Sequence, residues 1–145
     1  DAQPHSEVSQ ILLQAESIFA RMNHSCIMRF AGLIGPKRHP GRFFAGKTDV
    51  SGGNVAVNLV HLDDCIAAVS LILHSPEVAN VYNLCAPEHP TKATFYSHAA
   101  EHLGEKVPEF NQQISPSKII DGNLICQQLG FSYRHPNPIK MLDAC

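Results

Sequence analysis

The sequence has no long apolar run, no excess of positive charge and no paired-cysteine motif. Its longest apolar stretch, Cys65 to Leu73, falls well short of the roughly 18 to 20 residues a helix needs to cross a bilayer, so a soluble protein with no membrane partner is expected. Charged residues make up 17% of the chain and the formal net charge is -2, a balance that argues against a nucleic-acid binder. Any basic function must therefore be local. The five cysteines, at positions 26, 65, 85, 126 and 145, are odd in number, far apart and form no CxxC pair. Neither a disulfide framework nor a zinc ribbon is indicated, and a reducing, cytoplasmic setting fits. There is no internal repeat and no low-complexity tract. There is also no initiator methionine, and Asp1 opens a segment that reads as a mid-protein loop, so a mid-chain start is expected.

What is present suits one domain: 145 residues, 44% of them hydrophobic, can bury a sizeable core. Ser6 and Glu7 open a helix whose apolar positions Val8, Ile11, Leu12, Ala15, Ile18 and Phe19 recur at helical spacing, ending near Met22 and Asn23. Cys26 to Leu33 reads as a strand buried on both faces, with Arg29 as its one charge, in need of a partner. A loop rich in cations follows, then one helical turn over Gly41 to Gly46 and a Ser-Gly-Gly-Asn turn at 51 to 54 leading into a strand at Val55 to Val60. His61-Leu62-Asp63-Asp64 opens a largely apolar helix that Ser75-Pro76 ends; a third strand covers 80 to 85, and Pro90-Thr91 starts a helix through Leu103, closed by Gly104. Beyond Lys106 come short pieces: strands near 108 to 112 and 118 to 120, a short helix to Leu129 capped by Gly130, and a proline-rich tail. Strands alternating with helices imply an α/β fold with parallel pairing, yet three such strands make a poor sheet alone, so the fold is expected to be open at its N-terminal edge.

Four blocks in order, RFAGLIGP (29 to 36), VNLVHLDDCIAAVSLIL (57 to 73), VYNLC (81 to 85) and SKIIDGNLICQQLGF (117 to 131), resemble the C-terminal half of the extended short-chain dehydrogenase/reductases, the NAD-dependent epimerase/dehydratase group. GPKRHPGRFFAGK and LCAPEHPTKATFY are most similar to its nucleoside-diphosphate-sugar epimerase branch. The resemblance implies the last parallel strands and helices of an NAD(P)-binding Rossmann-like fold with a small mixed α/β substrate-binding subdomain. Residues 1–105 would be the end of the Rossmann-like sheet with an inserted substrate loop, and 106–145 a C-terminal substrate-side element. It implies NAD or NADP as cofactor, a nucleotide-sugar or related small molecule as ligand, and association as a homo-oligomer or through an exposed sheet edge.

Two family features have no counterpart. There is no GxGxxG phosphate turn anywhere in the chain. Active members carry Tyr-x-x-x-Lys on the helix before the RFAG-like strand, and the matching positions here are Val8 and Leu12, neither of which can transfer a proton. This chain alone is therefore expected to be inactive and to bind the dinucleotide weakly. The alternative is a non-catalytic, dinucleotide-sensing or protein-interaction module.

Candidate site residues cluster after the first strand. Lys37, Arg38, His39 and Arg42 follow the carboxyl end of a parallel strand, where ligands bind in open α/β sheets, and could neutralise a nucleotide-sugar diphosphate; an ordinary solvated loop would look the same. Gly35 and Pro36 are taken as cofactor contacts by the resemblance, and Arg29 as a possible contact because its strand leads there. His61 is a further substrate contact on this reading, although helix capping and packing explain HLDD without chemistry. His98, Glu101 and His102 match the HxxEH spacing of a zinc-peptidase class, but no convincing third ligand follows and no metal is expected.

Overall fold

The computed structural model describes residues 6–145; the reading of Asp1 as a mid-chain start lies outside them. Helix α1 (Glu7–Phe19) opens on a reciprocal cap: the Ser6 hydroxyl accepts from the Ser9 N–H at 3.2 Å and the Ser9 hydroxyl accepts from the Ser6 N–H at 3.0 Å. It stops at Phe19, short of the expected Met22, and the chain turns through His24 at φ 61.

The strand expected over 26 to 33 is two strands, β1 (Ile27–Phe30) and β2 (Gly32–Ile34), because the backbone changes partner at Ala31. The Ala31 N–H donates to the Leu84 carbonyl at 2.9 Å, and the next N–H, of Gly32, donates to the Asn58 carbonyl at 3.0 Å. Accordingly β1 runs parallel to β4 (Val81–Leu84), from Ile27 opposite Val81 to Phe30 opposite Leu84. Strand β2 runs parallel to β3 (Leu59–His61), from Gly32 opposite Leu59 to Ile34 opposite His61. The parallel pairing expected from the alternating pattern is present. Among the described residues, β1 has no backbone partner on its other edge.

Strand β3 is shorter than the expected 55 to 60, since residues 55 to 57 bond elsewhere: Val57 N–H to the Pro90 carbonyl at 2.9 Å, and Lys92 N–H to the Val55 carbonyl at 2.7 Å. Helix α2 (Leu62–His74) follows directly. Helix α3 (Lys92–His102) is capped by Thr91, and a short α4 (Leu124–Leu129) ends at Gly130, left-handed at φ 67. Single 3-10 turns cover Pro40–Arg42, close to the helical turn expected over 41 to 46, and Lys140–Ala144.

The strands expected at 108 to 112 and 118 to 120 do not form. Instead residues 47 to 58 and 109 to 120 are laced together by one bridge, Val50 with Phe110, and by side chains. Asn54 Nδ2 donates to the Ser115 carbonyl at 2.8 Å and Asn54 Oδ1 accepts from the Ser115 N–H at 3.0 Å. Asn58 Oδ1 accepts from the Ile120 N–H at 2.8 Å while its Nδ2 donates to the Lys118 carbonyl at 3.0 Å. Two asparagine amides thus supply donors and acceptors that a strand ladder would have supplied.

Two apolar clusters fill the interior. One joins Ile34, Val57, Phe95, Ala99, Met141 and Leu142, so the final 3-10 turn closes over α3 and the end of β2. The other joins Val60, Ala68, Tyr82, Leu84, Ile125 and Phe131, between the strands, α2 and α4. A third apolar surface is bare. Helix α1 has no buried residue, and Val8, Leu12 and Ile18 stand 60 to 67% exposed. Beside the open edge of β1, Phe30, Cys65, Ile66, Val69 and Leu73 line an apolar hollow of about 410 Å³. What anchors α1 is one ion pair: Arg29 Nε lies 2.9 and 3.0 Å from the two Glu16 carboxylate oxygens, which is the partner Arg29 was expected to need.

Candidate functional site

Two concavities lie where parallel strands β1 and β4 reach their carboxyl ends, the place at which open α/β sheets hold ligands. The first, about 330 Å³, is walled by Cys85, His89, Ile120, Gly122, Cys126 and Tyr133. The second, about 580 Å³, is lined by Arg29, Phe30, Asn83, Lys118 and Asp121. Residues 119 to 121 separate them, so the laced segment is the partition of the site.

That partition is held by a half-buried tyrosine. The Tyr133 hydroxyl donates to the Gly122 carbonyl at 2.9 Å and accepts from the Cys85 N–H at 3.2 Å. Burial raises its pKa, so it stays a neutral phenol with both hydrogen-bonding directions occupied. Burial also pushes the Cys85 thiol up to about 11, which leaves it protonated and a poor nucleophile at neutral pH. The walls are suited to enclosing a ligand; neither of these groups is poised for proton or acyl transfer.

The basic loop divides. Lys37, held at a left-handed φ of 64, and Arg38 are exposed, and neither side chain has an ion-pair or hydrogen-bond partner among the described residues. Arg42 instead reaches Glu105 at 3.4 Å, and His39 turns inward: its Nδ1 accepts the Gly41 N–H at 3.0 Å, and its Nε2 meets His102 Nδ1 at 3.2 Å. Burial, with repulsion from His102 added, lowers the His39 pKa below its ordinary 6.5. Gly35 is buried at φ 153, and a Cβ there would sit 3.0 Å from that of Leu62, so the backbone geometry requires glycine. Pro36 next to it is exposed.

His61 is 1% exposed and caps α2, its Nδ1 accepting the Asp63 N–H at 3.2 Å. Asp64, equally buried, accepts from the backbone N–H groups of Arg134 at 2.7 Å and His135 at 3.1 Å. The second aspartate of HLDD therefore holds the tail, a role the sequence did not disclose because its partners lie 70 residues away. His98 and His102 separate: His98 lies 3.8 Å from Glu101, whereas His102 joins His39 and, at 3.3 Å, Asp143. Val8 and Leu12 are both exposed on α1.

Fold and site together define a parallel α/β unit of Rossmann-like type with its clefts at the strand ends. No family model matches the chain. Over 117 residues it is 50% identical to Protein YeeZ of Escherichia coli, a match that takes in 79% of this chain and 42% of YeeZ. Solved structures from several organisms share the fold. A functionally unknown conserved protein from Silicibacter pomeroyi superposes with a TM-score of 0.80 at 20% identity, covering 98% of this chain and 56% of that one. The Bordetella bronchiseptica enzyme WbmG, in complex with NAD and UDP, gives 0.78 at 15% identity, with 99% and 51% covered. The dTDP-glucose 4,6-dehydratase of Bacillus anthracis, in complex with NAD, gives 0.75 at 16% identity, with 98% and 52% covered. The chain thus spans about half the length of the proteins it resembles. Among the described residues, no helix is long and apolar enough to cross a membrane.

Proposed function

We propose that this chain is the substrate-side half of an NAD(P)-dependent protein of the nucleotide-sugar epimerase/dehydratase kind. The observations that carry the reading are the pair of clefts at the carboxyl ends of β1 and β4 and, after the carboxyl end of β2, a loop that keeps Lys37 and Arg38 free of protein partners among the described residues. A diphosphate is a ligand that two unpaired cations at such a position can neutralise. His39 packs the loop against His102 of α3 and Arg42 faces Glu105 just beyond that helix, so on this reading the ligand falls first to Lys37 and Arg38.

The residues present do not make a whole dinucleotide site, since the sequence offers no glycine-rich strand-to-helix turn to receive a pyrophosphate. On this reading a further Rossmann half covers the open edge of β1 and the bare apolar faces of α1 and α2, bringing NAD or NADP with it. Val8 and Leu12 favour the second reading, a member that binds a nucleotide without turning it over. Five unpaired cysteines fit a reducing, cytoplasmic setting.

The test is thermal stabilisation of the full-length protein by NAD, NADP and a panel of nucleotide sugars, repeated in the Lys37→Ala/Arg38→Ala double variant and in Arg42→Ala. Stabilisation by a nucleotide sugar, weakened at least about tenfold in apparent affinity by the double variant and little changed by Arg42→Ala, is expected; each unshared charge-assisted contact is worth about 1.5 kcal/mol or more. No stabilisation by any nucleotide would overturn the reading.

A further inference from the structure

His61, Asp63 and His135 stand together where the tail crosses the start of α2, and they are the one group of three metal-binding side chains among the described residues whose ligand atoms all lie within 4.8 Å of one another. We propose that they form a site for a divalent ion of the zinc class, which clips the C-terminal segment to the N-terminus of α2.

The geometry fits before any ion enters. Asp63 Oδ2 lies 3.1 Å from His135 Nε2 and 3.5 Å from His61 Nδ1. In a tetrahedral zinc site with bonds of about 2.0 to 2.1 Å, neighbouring ligand atoms are about 3.3 Å apart, so the two distances bracket the edge required. The third edge, between the two imidazoles, is within 4.8 Å, and the His135 ring, 18% exposed, lies over the His61 ring with centroids 3.9 Å apart, so a small adjustment of the two rings closes it.

The protonation state also fits. His61 Nδ1 already presents its lone pair, since it accepts the Asp63 N–H, and its Nε2 faces the Ala144 carbonyl oxygen at 3.4 Å. A metal-bound imidazole characteristically donates its other N–H to a carbonyl or carboxylate, which fixes the ring and the tautomer. The ion would replace the long capping hydrogen bond of His61 and the 3.1 Å bond between His135 Nε2 and Asp63 Oδ2, with His135 presenting that nitrogen unprotonated. His135 is oriented through its own backbone, whose N–H is held at 3.1 Å by the buried carboxylate of Asp64. Asp64 is thus a positioning residue for the site.

Charge points the same way. Asp63 and Asp64 place two carboxylates at one helix end, and the one permanent cation close to them, Arg134, lies 3.9 Å from Asp63 with its side chain 78% exposed. Two adjacent carboxylates beside a single exposed cation suit the approach of a dication. The inner side of the site is closed by His61 at 1% exposure, while Asp63, at 42%, leaves it open to solvent. A water can take the fourth position. The borderline N,O donor set suits zinc, and the nitrogen ligands disfavour magnesium and calcium.

The experiment is zinc titration by calorimetry into the metal-stripped full-length protein, with Asp63→Asn, His135→Gln and the surface double variant His98→Gln/His102→Gln run beside it. Binding at micromolar affinity or tighter is expected, more than tenfold weaker in each of the first two and unchanged in the surface double. Because His61 is a buried cap, it is left intact and read by imidazole NMR in the unaltered protein: the His61 and His135 resonances should move on zinc addition while His98 stays. Absence of zinc binding at about 100 µM, or binding that survives Asp63→Asn and His135→Gln, overturns the site, and shifts confined to His98 and His102 do the same.

Discussion

Replacing Gly122 by alanine should open the partition between the two clefts. A Cβ at this position would lie 2.3 Å from the Cys85 carbonyl oxygen, 2.6 Å from the Tyr133 hydroxyl and 2.8 Å from the Cys85 nitrogen. Two of these contacts are with backbone, which cannot rotate aside, so residues 121 to 123 must move. That motion breaks the part-buried Tyr133 bonds to Gly122 and Cys85, at about 1 kcal/mol each. Forcing a methyl into a filled space adds about 1 to 3 kcal/mol, for a total of about 3 to 5 kcal/mol. At about 2 to 4 °C per kcal/mol, the melting temperature should fall by roughly 6 to 20 °C. Gly104→Ala is the comparison: its φ of 67 is also left-handed, but nothing lies within 4 Å of the added methyl. Its cost is the backbone term alone, about 1 to 2 kcal/mol. Differential scanning calorimetry of both variants separates contact from conformation. Equal shifts, or a Gly122→Ala shift under about 2 °C, would refute the claim that Tyr133 and Cys85 clamp this wall.

Further outcomes follow from the same contacts. Asp64→Asn should cost about 2 to 3 kcal/mol, because the amide can accept from only one of the two N–H groups of Arg134 and His135; hydrogen exchange at those two amides should accelerate, and unchanged protection would count against the tail being held there. Asn58→Ala removes the bonds to Lys118 and Ile120, and limited proteolysis should then cut between 112 and 121 faster than in the unaltered protein. His39 has its folded pKa below the unfolded 6.5, so the unfolded state takes up its proton first and stability falls as the pH drops below about 6.5. The groups facing it are His102 and, through His102, Asp143. Urea unfolding of His39→Asn, which keeps an acceptor for the Gly41 N–H, should show less loss between pH 7 and 5 than the unaltered protein; an equal loss sets aside this imidazole as the cause.

Element type and parallel pairing were legible because they depend on local signals: Ser6 and Thr91 as caps, Gly104 and Gly130 as helix stops, and apolar runs too short for anything but strands. The break at Ala31 was not legible, since nothing in AGLI tells which carbonyl its N–H groups will find. The expected strands after residue 106 failed for a related reason: residues 108 to 112 find only a single bridge to Val50, and the partners of 115 to 120 are asparagine side chains, whose pairing leaves no period in the sequence. At the site, the basic loop was found by its composition, but its division into two free and two anchored cations depends on Glu105 and His102, some sixty residues on. His135 carried no signal at all, because the aspartates it meets are separated from it by half the chain.

The lacing of residues 47 to 58 to 109 to 120 also has a kinetic meaning. Each of its asparagine bonds closes a loop of about 61 residues, and the chain-length part of that closure entropy is about 3.6 kcal/mol, set against a few hydrogen bonds of modest net worth. The β1–β4 pairing closes a loop of 54 residues, from Ile27 to Val81, at nearly the same cost, but it gains the apolar cluster around Tyr82 and Leu84, so the lacing, with only hydrogen bonds to gain, is expected to follow it. The partition between the clefts is then among the last parts of the molecule to assemble. A ligand that grips it would therefore leave the folding rate almost unchanged and slow the rate of unfolding, so occupancy would register as a longer-lived native state.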